Sequence, residues 1–85
     1  MEVLFTKHAQ EKFDLLKRHG VIVSRDLVLL VLRAPALIDR SRHPLFIAQG
    51  NLDERHVLRI VCRRESNSII VITFYPGRRT VYEKK

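Results

Sequence analysis

The residues of this sequence best suited to chemistry are cations and phenols in its C-terminal third. They comprise four arginines and two tyrosines: Arg59, Arg63, Arg78, Arg79, Tyr75 and Tyr82. A guanidinium is permanently charged and grips phosphate through two parallel hydrogen bonds. A phenol or an imidazole transfers protons when its neighbours tune its pKa. His8 and Lys12, on a predicted first helix, are candidate neighbours of this set. Together these residues predict a binding site for a phosphodiester.

Cleavage of RNA by its own 2′-hydroxyl defines what such a site has to supply. The reaction needs a proton acceptor for that hydroxyl, cations for the charge that grows on the phosphorane, and a proton donor for the leaving 5′ oxygen. The arginines suit the second task, and Tyr82 or His8 suits the first or the third. An alternative stays open, in which Tyr82 is a packing residue and the basic strand only binds phosphate.

Other chemistries lack a supporting pattern. The four histidines are separated by 11, 24 and 13 residues, and no pair has the spacing of metal ligands. The three glycines are isolated, so there is no phosphate-cradling loop, and no nucleophile-elbow motif occurs. Cys62 is the single cysteine, which excludes an internal disulfide. We therefore expect no metal and no cofactor.

Composition narrows the class of protein and its partners. The 85 residues predict one domain spanning 1–85, and 46% apolar with 29% charged residues is typical of a soluble globular protein. Sixteen Lys and Arg against nine Asp and Glu give a formal charge of +7, which favours nucleic acid or the ribosome, and next an acidic protein, as partner. No apolar run reaches the ~18 residues of a membrane span, and no secretory signal is evident. With its lone cysteine, the chain is expected in the reducing cytoplasm.

Two helices are predicted in the N-terminal half. Thr6 is a candidate N-cap for a helix over 7–19, whose apolar stripe is Ala9, Phe13 and Leu16, and Gly20 ends it. Ser24 is a second N-cap, and the following leucine-rich run stops at Pro35. A link of about four residues would let the two helices form an αα-hairpin across one face of a sheet.

Strands follow from residue 36 onward. Short strands are predicted at 36–39 and 44–48, and a β-hairpin is predicted from two Val- and Ile-rich runs around residues 65–68. Met1 to Phe5 is a short edge strand or a lead-in, and the tail 79–85 is a last short strand or an irregular end. The fold class is therefore α+β, with two N-terminal helices on one face of an antiparallel sheet of about four strands.

The hairpin register decides which side chains share a face. A two-residue or four-residue loop would pair Arg59 and Arg63 with Phe74 and Ile72 and leave no clear core face. We therefore favour a three-residue loop, Ser66 to Ser68 with Asn67 in the left-handed region, which places the large aliphatic residues on the helix-covered face. Those residues are Leu58, Ile60, Cys62, Ile70, Ile72 and Phe74. The other, half-open face then carries Arg59, Arg63, Thr73 and Tyr75.

The order of these elements and several local motifs resemble the RelE-like superfamily of small toxins, especially its BrnT-like and uncharacterised short members. The matching pieces span nearly the whole chain, although each is short. They are Thr6-Lys7-His8-Ala9, Arg18-His19-Gly20-Val21, Ala34-Pro35, Val57-Leu58-Arg59-Ile60-Val61, and Ile70 to Pro76 running into Gly77-Arg78-Arg79. The lysine-rich strand segment of many ribosome-dependent members has no counterpart here.

The resemblance implies a function as well as a fold. RelE-like toxins bind RNA on the sheet face opposite the helices, and their ribonucleases use a basic strand cluster with a tyrosine or histidine that follows an arginine near the C-terminus. Arg59 or Arg63, Arg78 or Arg79, and Tyr82 fit that pattern here. The hypothesis is a metal-independent endoribonuclease of a toxin–antitoxin pair, silenced by an acidic or amphipathic antitoxin. The rival hypotheses are a non-catalytic module that binds nucleic acid or an acidic protein, and a structural subunit that dimerises through a sheet edge.

Overall fold

The computed structural model describes residues 2–83, in which five strands and three helices follow one another. In chain order these are β1 (Glu2–Phe5), α1 (Lys7–Arg18), α2 (Arg25–Arg33), β2 (Leu37–Asp39), β3 (Phe46–Asn51), β4 (His56–Glu65), β5 (Ser68–Arg78) and α3 (Arg79–Tyr82). The predicted first strand and the predicted tail extend to Met1, Lys84 and Lys85, which lie outside the described residues. The α+β class is confirmed.

The sheet has five strands in the order β1-β5-β4-β3-β2 and is mixed rather than antiparallel. β1 pairs in parallel with β5, with Val3 opposite Ile69 and Phe5 opposite Val71, whereas the other neighbours are antiparallel. The prediction of an all-antiparallel sheet of about four strands is wrong on both points. A four-residue strand carries no sequence signal for its partner, since β1 and β5 are separated by more than sixty residues of chain.

Both N-terminal helices begin at the predicted caps. The Thr6 hydroxyl accepts a hydrogen bond from the Ala9 amide at 3.1 Å, and the Ser24 hydroxyl accepts one from the Leu27 amide at 3.1 Å. α1 ends at Arg18, and Gly20 follows with a φ of +83°, a conformation that suits glycine because it has no Cβ. Both predicted helices are thus confirmed; α1 ends one residue before the predicted end, and α2 ends at Arg33, two residues before Pro35.

One hydrophobic cluster lies between α1, α2 and a single face of the sheet. Ala9 of α1, Val28 of α2, and Leu58 and Ile60 of β4 are fully buried members of this cluster. Phe13 packs on Phe74 with 4.7 Å between ring centroids. The helices therefore cover one sheet face and leave the opposite face to the rest of the chain.

The β4–β5 hairpin turns through two residues rather than the predicted three. Glu65 pairs with Ser68, and Ser66 takes a φ of 52°. A bulge opposite Val61 and Cys62 leaves Ile72 without a partner and shifts the register by one residue. Beyond the bulge the pairing is as predicted, with Ile60 opposite Phe74 and Arg59 opposite Tyr75.

The bulge changes which aliphatic residues of β5 reach the core. Ile69, Val71 and Phe74 belong to the core cluster, and the prediction that Ile70 shares their face is wrong. The shorter turn shifts the strand pairing by one residue, and the bulge shifts it back. Arg59 and Tyr75 therefore still lie opposite each other on the face away from the helices. The predicted loop length is wrong, but the pairing around Arg59 is the predicted one.

Candidate functional site

The face of the sheet opposite α1 and α2, here called the open face, carries the polar side chains of the central strands. Arg59 lies there between Gln49 of β3 and Tyr75 of β5, which are its cross-strand partners. Arg63 of β4 and Thr73 of β5 share this face further along. The predicted placement of Arg59, Arg63, Thr73 and Tyr75 is therefore confirmed.

The C-terminal segment lies on one end of the open face as the short helix α3, not as a strand or an irregular tail. A Cβ at Gly77 would come within 2.5 Å of the Tyr82 ring and 3.5 Å of Arg59 Cδ, so the ring rests directly on the glycine backbone. The Arg59 guanidinium carbon is 4.1 Å from the centroid of the Tyr82 ring. Tyr82 is thus stacked on Arg59 and stays half-buried.

Arg59 is the centre of a buried polar network. Arg59 is only 5% exposed, and its guanidinium group donates hydrogen bonds to three side chains. The acceptors are Asp39 Oδ2 at 3.0 Å, the Tyr75 hydroxyl at 3.0 Å from Nε, and Gln49 Oε1. A buried charge is tolerated only with such partners, because an unpaired one loses its hydration without compensation.

The network fixes the charge states of its members. Hydrogen bonds from the Ser41 amide and side chain, followed by the bond from Arg59, lower the pKa of Asp39 from 3.8 to about 2. Desolvation disfavours the charged form of Arg59, but the hydrogen bonds to Tyr75 and Asp39 outweigh it and raise the pKa of Arg59 above its ordinary value. At neutral pH, Asp39 and Arg59 therefore form an ion pair beneath Tyr82.

Arg79 attaches α3 to the turn between β3 and β4. Its guanidinium donates to the Asp53 carbonyl at 2.9 and 3.0 Å, to Asn51 Oδ1 at 3.0 Å and to Glu83 at 2.7 Å. Its amide donates to the Arg55 carbonyl at 3.0 Å. Arg79 was predicted to act in catalysis, and these contacts give it the position of an anchor that holds Tyr82 in place.

Arg63 and Arg78 are the more accessible of the predicted phosphate ligands. Arg63 is exposed on the open face and forms an ion pair with Glu65 at 2.7 Å. Arg78 is exposed at the end of β5 and lines a shallow groove of about 520 Å³ with Arg55 and Arg79. An exposed ion pair exchanges readily for a phosphate contact, because it contributes little free energy by itself.

His8 and Lys12 lie on α1, away from the network around Arg59. His8 Nε2 is 3.2 Å from the hydroxyl of Thr73, a residue of β5 beyond the end of β1. His8 therefore reaches the edge of the open face. Lys12 lines a separate groove of about 330 Å³ along α1 with His8 and Arg18.

The predicted site residues thus fall in three places rather than one. Arg59, Tyr82 and Arg79 lie together at the α3 end, with Arg78 beside Arg79 at the end of β5. Arg63 lies toward the hairpin, and His8 with Lys12 lies on α1, where His8 reaches the edge of β5. Sequence reasoning missed Asp39 and Gln49. A signal for both existed, since each is a polar residue that follows a run of apolar residues in a short strand.

Two further kinds of chemistry find little support in residues 2–83. Burial raises the pKa of the Cys62 thiol to about 12, so the thiolate required of a nucleophile is scarce at neutral pH. No group of three or more potential metal ligands comes together in this part of the chain. Among the same residues, no helix is long and apolar enough to cross a membrane.

Comparison with known proteins adds no relative. No protein-family model matches the sequence, and neither a curated protein nor a solved structure matches it significantly.

Proposed function

We propose that this protein is a RelE-like, toxin-type endoribonuclease that acts on RNA at the open face. One observation carries the proposal: α3 holds Tyr82 against buried Arg59, which is paired with half-buried Asp39, on the sheet face that α1 and α2 leave uncovered. A phenol fixed over a cation, on a chain of charge +7, suits proton transfer beside a bound phosphodiester.

The contacts assign different tasks to the arginines. Arg59 and Arg79 are positioning residues, because their donors are engaged by the protein itself and they hold Tyr82 in place. Arg63 is exposed on the open face and is the phosphate ligand there. Arg78 is exposed at the end of β5, in register with His56 of the opposite face, and is a peripheral phosphate ligand. Tyr82 handles the proton, with His8 as the second candidate because it lies at the edge of the same face.

The experiment compares an RNA oligonucleotide with the same sequence carrying 2′-deoxy sugars. Cleavage of the RNA alone, abolished by Tyr82→Phe, is the expected result, because the phenylalanine ring keeps the stacking on Arg59 but lacks the hydroxyl. Arg63→Gln is expected to weaken RNA binding, with Arg18→Gln, an exposed arginine on α1, as the matched control. Intact RNA at all enzyme concentrations would refute the nuclease.

The second candidate is a non-catalytic module that binds nucleic acid or an acidic protein. It is favoured by the engagement of Arg59 and Arg79 with internal acceptors, which leaves neither guanidinium free for a transition state. In this case binding is salt-sensitive, RNA stays intact, and Tyr82→Phe binds like the wild type. The oligonucleotide pair therefore separates the two candidates.

The partners follow from the same proposal. An acidic or amphipathic antitoxin would silence the protein by covering the open face, and the site of action would be the cytoplasm. Co-expression with the product of a neighbouring acidic reading frame tests this: relief of growth arrest is expected, and persistent arrest would argue against such an antitoxin.

A further inference from the structure

A groove lies on the other side of the sheet from Tyr82. It has a volume of about 650 Å³ and runs between α2 and the start of β1 and β5. Four of its five lining residues are apolar: Val3 and Ile69 from the sheet, and Leu29 and Leu32 from α2. The fifth is Arg33. At this corner the two helices do not cover the core face of the sheet.

α2 is more apolar than its contacts in this chain require. Its sequence between Asp26 and Arg33 is Leu-Val-Leu-Leu-Val-Leu, yet only Val28 and Val31 are buried. Leu30 is 56% exposed, and Leu29 and Leu32 are only partly covered. A helix that is apolar around most of its circumference is normally buried on more than one side. The partly exposed Leu29 and Leu32 line the groove, so α2 supplies much of its apolar surface.

The charges around the groove are positive. Arg33 lines its wall, and Arg64 is the cross-strand partner of Ile69 on the same sheet face. Among residues 2–83, no carboxylate lines the groove. Asp26 of α2 lies one turn before Leu29, and Glu2, next to Val3, accepts a hydrogen bond from the Ser68 hydroxyl. An apolar floor flanked by guanidiniums complements a segment that carries leucine-like residues and carboxylates together.

We propose that this groove binds an acidic amphipathic helix of another protein. A second copy of this chain is disfavoured, because it would bring the same Arg33 and Arg64 and a further charge of +7 to the contact. The groove and the open face lie on opposite sides of the sheet, so its occupant leaves Tyr82 accessible. The inference is independent of the nuclease proposal.

Isothermal titration calorimetry with two designed peptides tests the proposal on the full chain. Both peptides carry one leucine stripe at helical spacing, and the remaining positions are glutamate in one and lysine in the other. We expect the glutamate peptide to bind at least tenfold more tightly than the lysine peptide. The double variant Arg33→Glu/Arg64→Glu should reverse that preference, which a merely sticky apolar surface would not do.

Variants of the groove identify where the peptide binds. Leu32→Gln should weaken binding of the glutamate peptide at least fivefold, whereas Leu15→Gln, on an exposed leucine of α1 outside the groove, should leave it unchanged. Tyr82→Phe should also bind normally, which separates this inference from the proposed nuclease. Equal binding of the two peptides, binding of neither, or self-association that Leu32→Gln abolishes would each overturn the proposal.

Discussion

At the scale of single residues, Arg59 illustrates how a cation in a basic strand acquires a structural role. It alternates with apolar residues in β4, so its position on the open face follows from strand periodicity. Its burial follows from partners distant in sequence, Asp39 and Gln49, and from Tyr82, whose ring covers it. Arg59, which the sequence predicted as a phosphate ligand, therefore lies beneath Tyr82 and supports the site.

Removal of the Arg59 side chain should destabilise the protein strongly. Arg59→Ala leaves the Gln49 amide and the Asp39 carboxylate without their common donor, and we expect a loss of about 3 kcal/mol in the free energy of unfolding. Arg63→Ala, which breaks an exposed ion pair, should cost less than about 1 kcal/mol. Urea denaturation measures both; similar small losses would contradict the buried network.

The depressed pKa of Asp39 makes stability depend on acidity. The folded-state pKa, about 2, lies below the ordinary value of 3.8, so the stabilisation is complete above pH 4 and is lost as the pH falls toward 2. Thermal denaturation should show a smaller decline across this window in Asp39→Asn than in the wild type. Asp53, whose pKa is also lowered by hydrogen bonds from Arg55 and His56, requires Asp53→Asn as a parallel control.

At the scale of elements, the β4–β5 turn stores a small strain that a substitution can relieve. Ser66 adopts a φ of 52° as the first residue of the two-residue turn, a position where glycine is preferred. Ser66→Gly should therefore raise the free energy of unfolding by up to about 1 kcal/mol. Chemical denaturation of this variant beside Ser68→Gly checks it, and a destabilised Ser66→Gly would refute the turn geometry.

The packing of α3 on the sheet depends on the absence of a side chain at Gly77. Gly77→Ala would place a methyl group 2.5 Å from the Tyr82 ring, so the ring must leave Arg59. We expect the aromatic ring-current shift on the Arg59 side chain to disappear from its NMR signals. Gly20→Ala, which faces a strained φ of +83° but no neighbouring atom, is the control, because it should lower stability and leave the Arg59 signals in place.

Local signals predicted much of this architecture. Thr6 and Ser24 marked the helix starts, because a side-chain oxygen there replaces a missing backbone partner. Alternation in β4 placed Arg59 and Arg63 on the face away from the helices. These features are set by neighbours within four residues, and such interactions can be read from a single sequence.

What the sequence did not predict depends on distant contacts. The parallel pairing of β1 with β5 and the stacking of Tyr82 on Arg59 join residues that are far apart in the sequence. The bulge at Ile72 depends on how β4 and β5 pair and has no signal in β5 alone. Arg59 and Arg79 were predicted as free cations for the same reason. Gln49, which binds Arg59, and Asp53, which binds Arg79, are each remote in the sequence from the arginine they contact. Strand periodicity gives the direction of a side chain and says nothing about its partner.

At the scale of the whole molecule, the charge of +7 is spread over both sides of the sheet, with exposed arginines on α1, on β4 and at the end of β5. Affinity for RNA should therefore fall steeply as salt rises. Arg63→Gln should flatten the slope of log affinity against log salt by roughly one, as expected for one lost phosphate contact. Arg18→Gln should leave that slope unchanged if the helix side does not touch RNA.

The account depends most on the claim that RNA meets the open face, and NMR titration tests this most directly. A short single-stranded RNA added to isotope-labelled protein should shift the signals of Arg63, Tyr75 and Tyr82 and leave those of Leu29 and Leu32 in place. Shifts confined to α1 and α2, with the signals of Tyr82 and its neighbours unmoved, would contradict it.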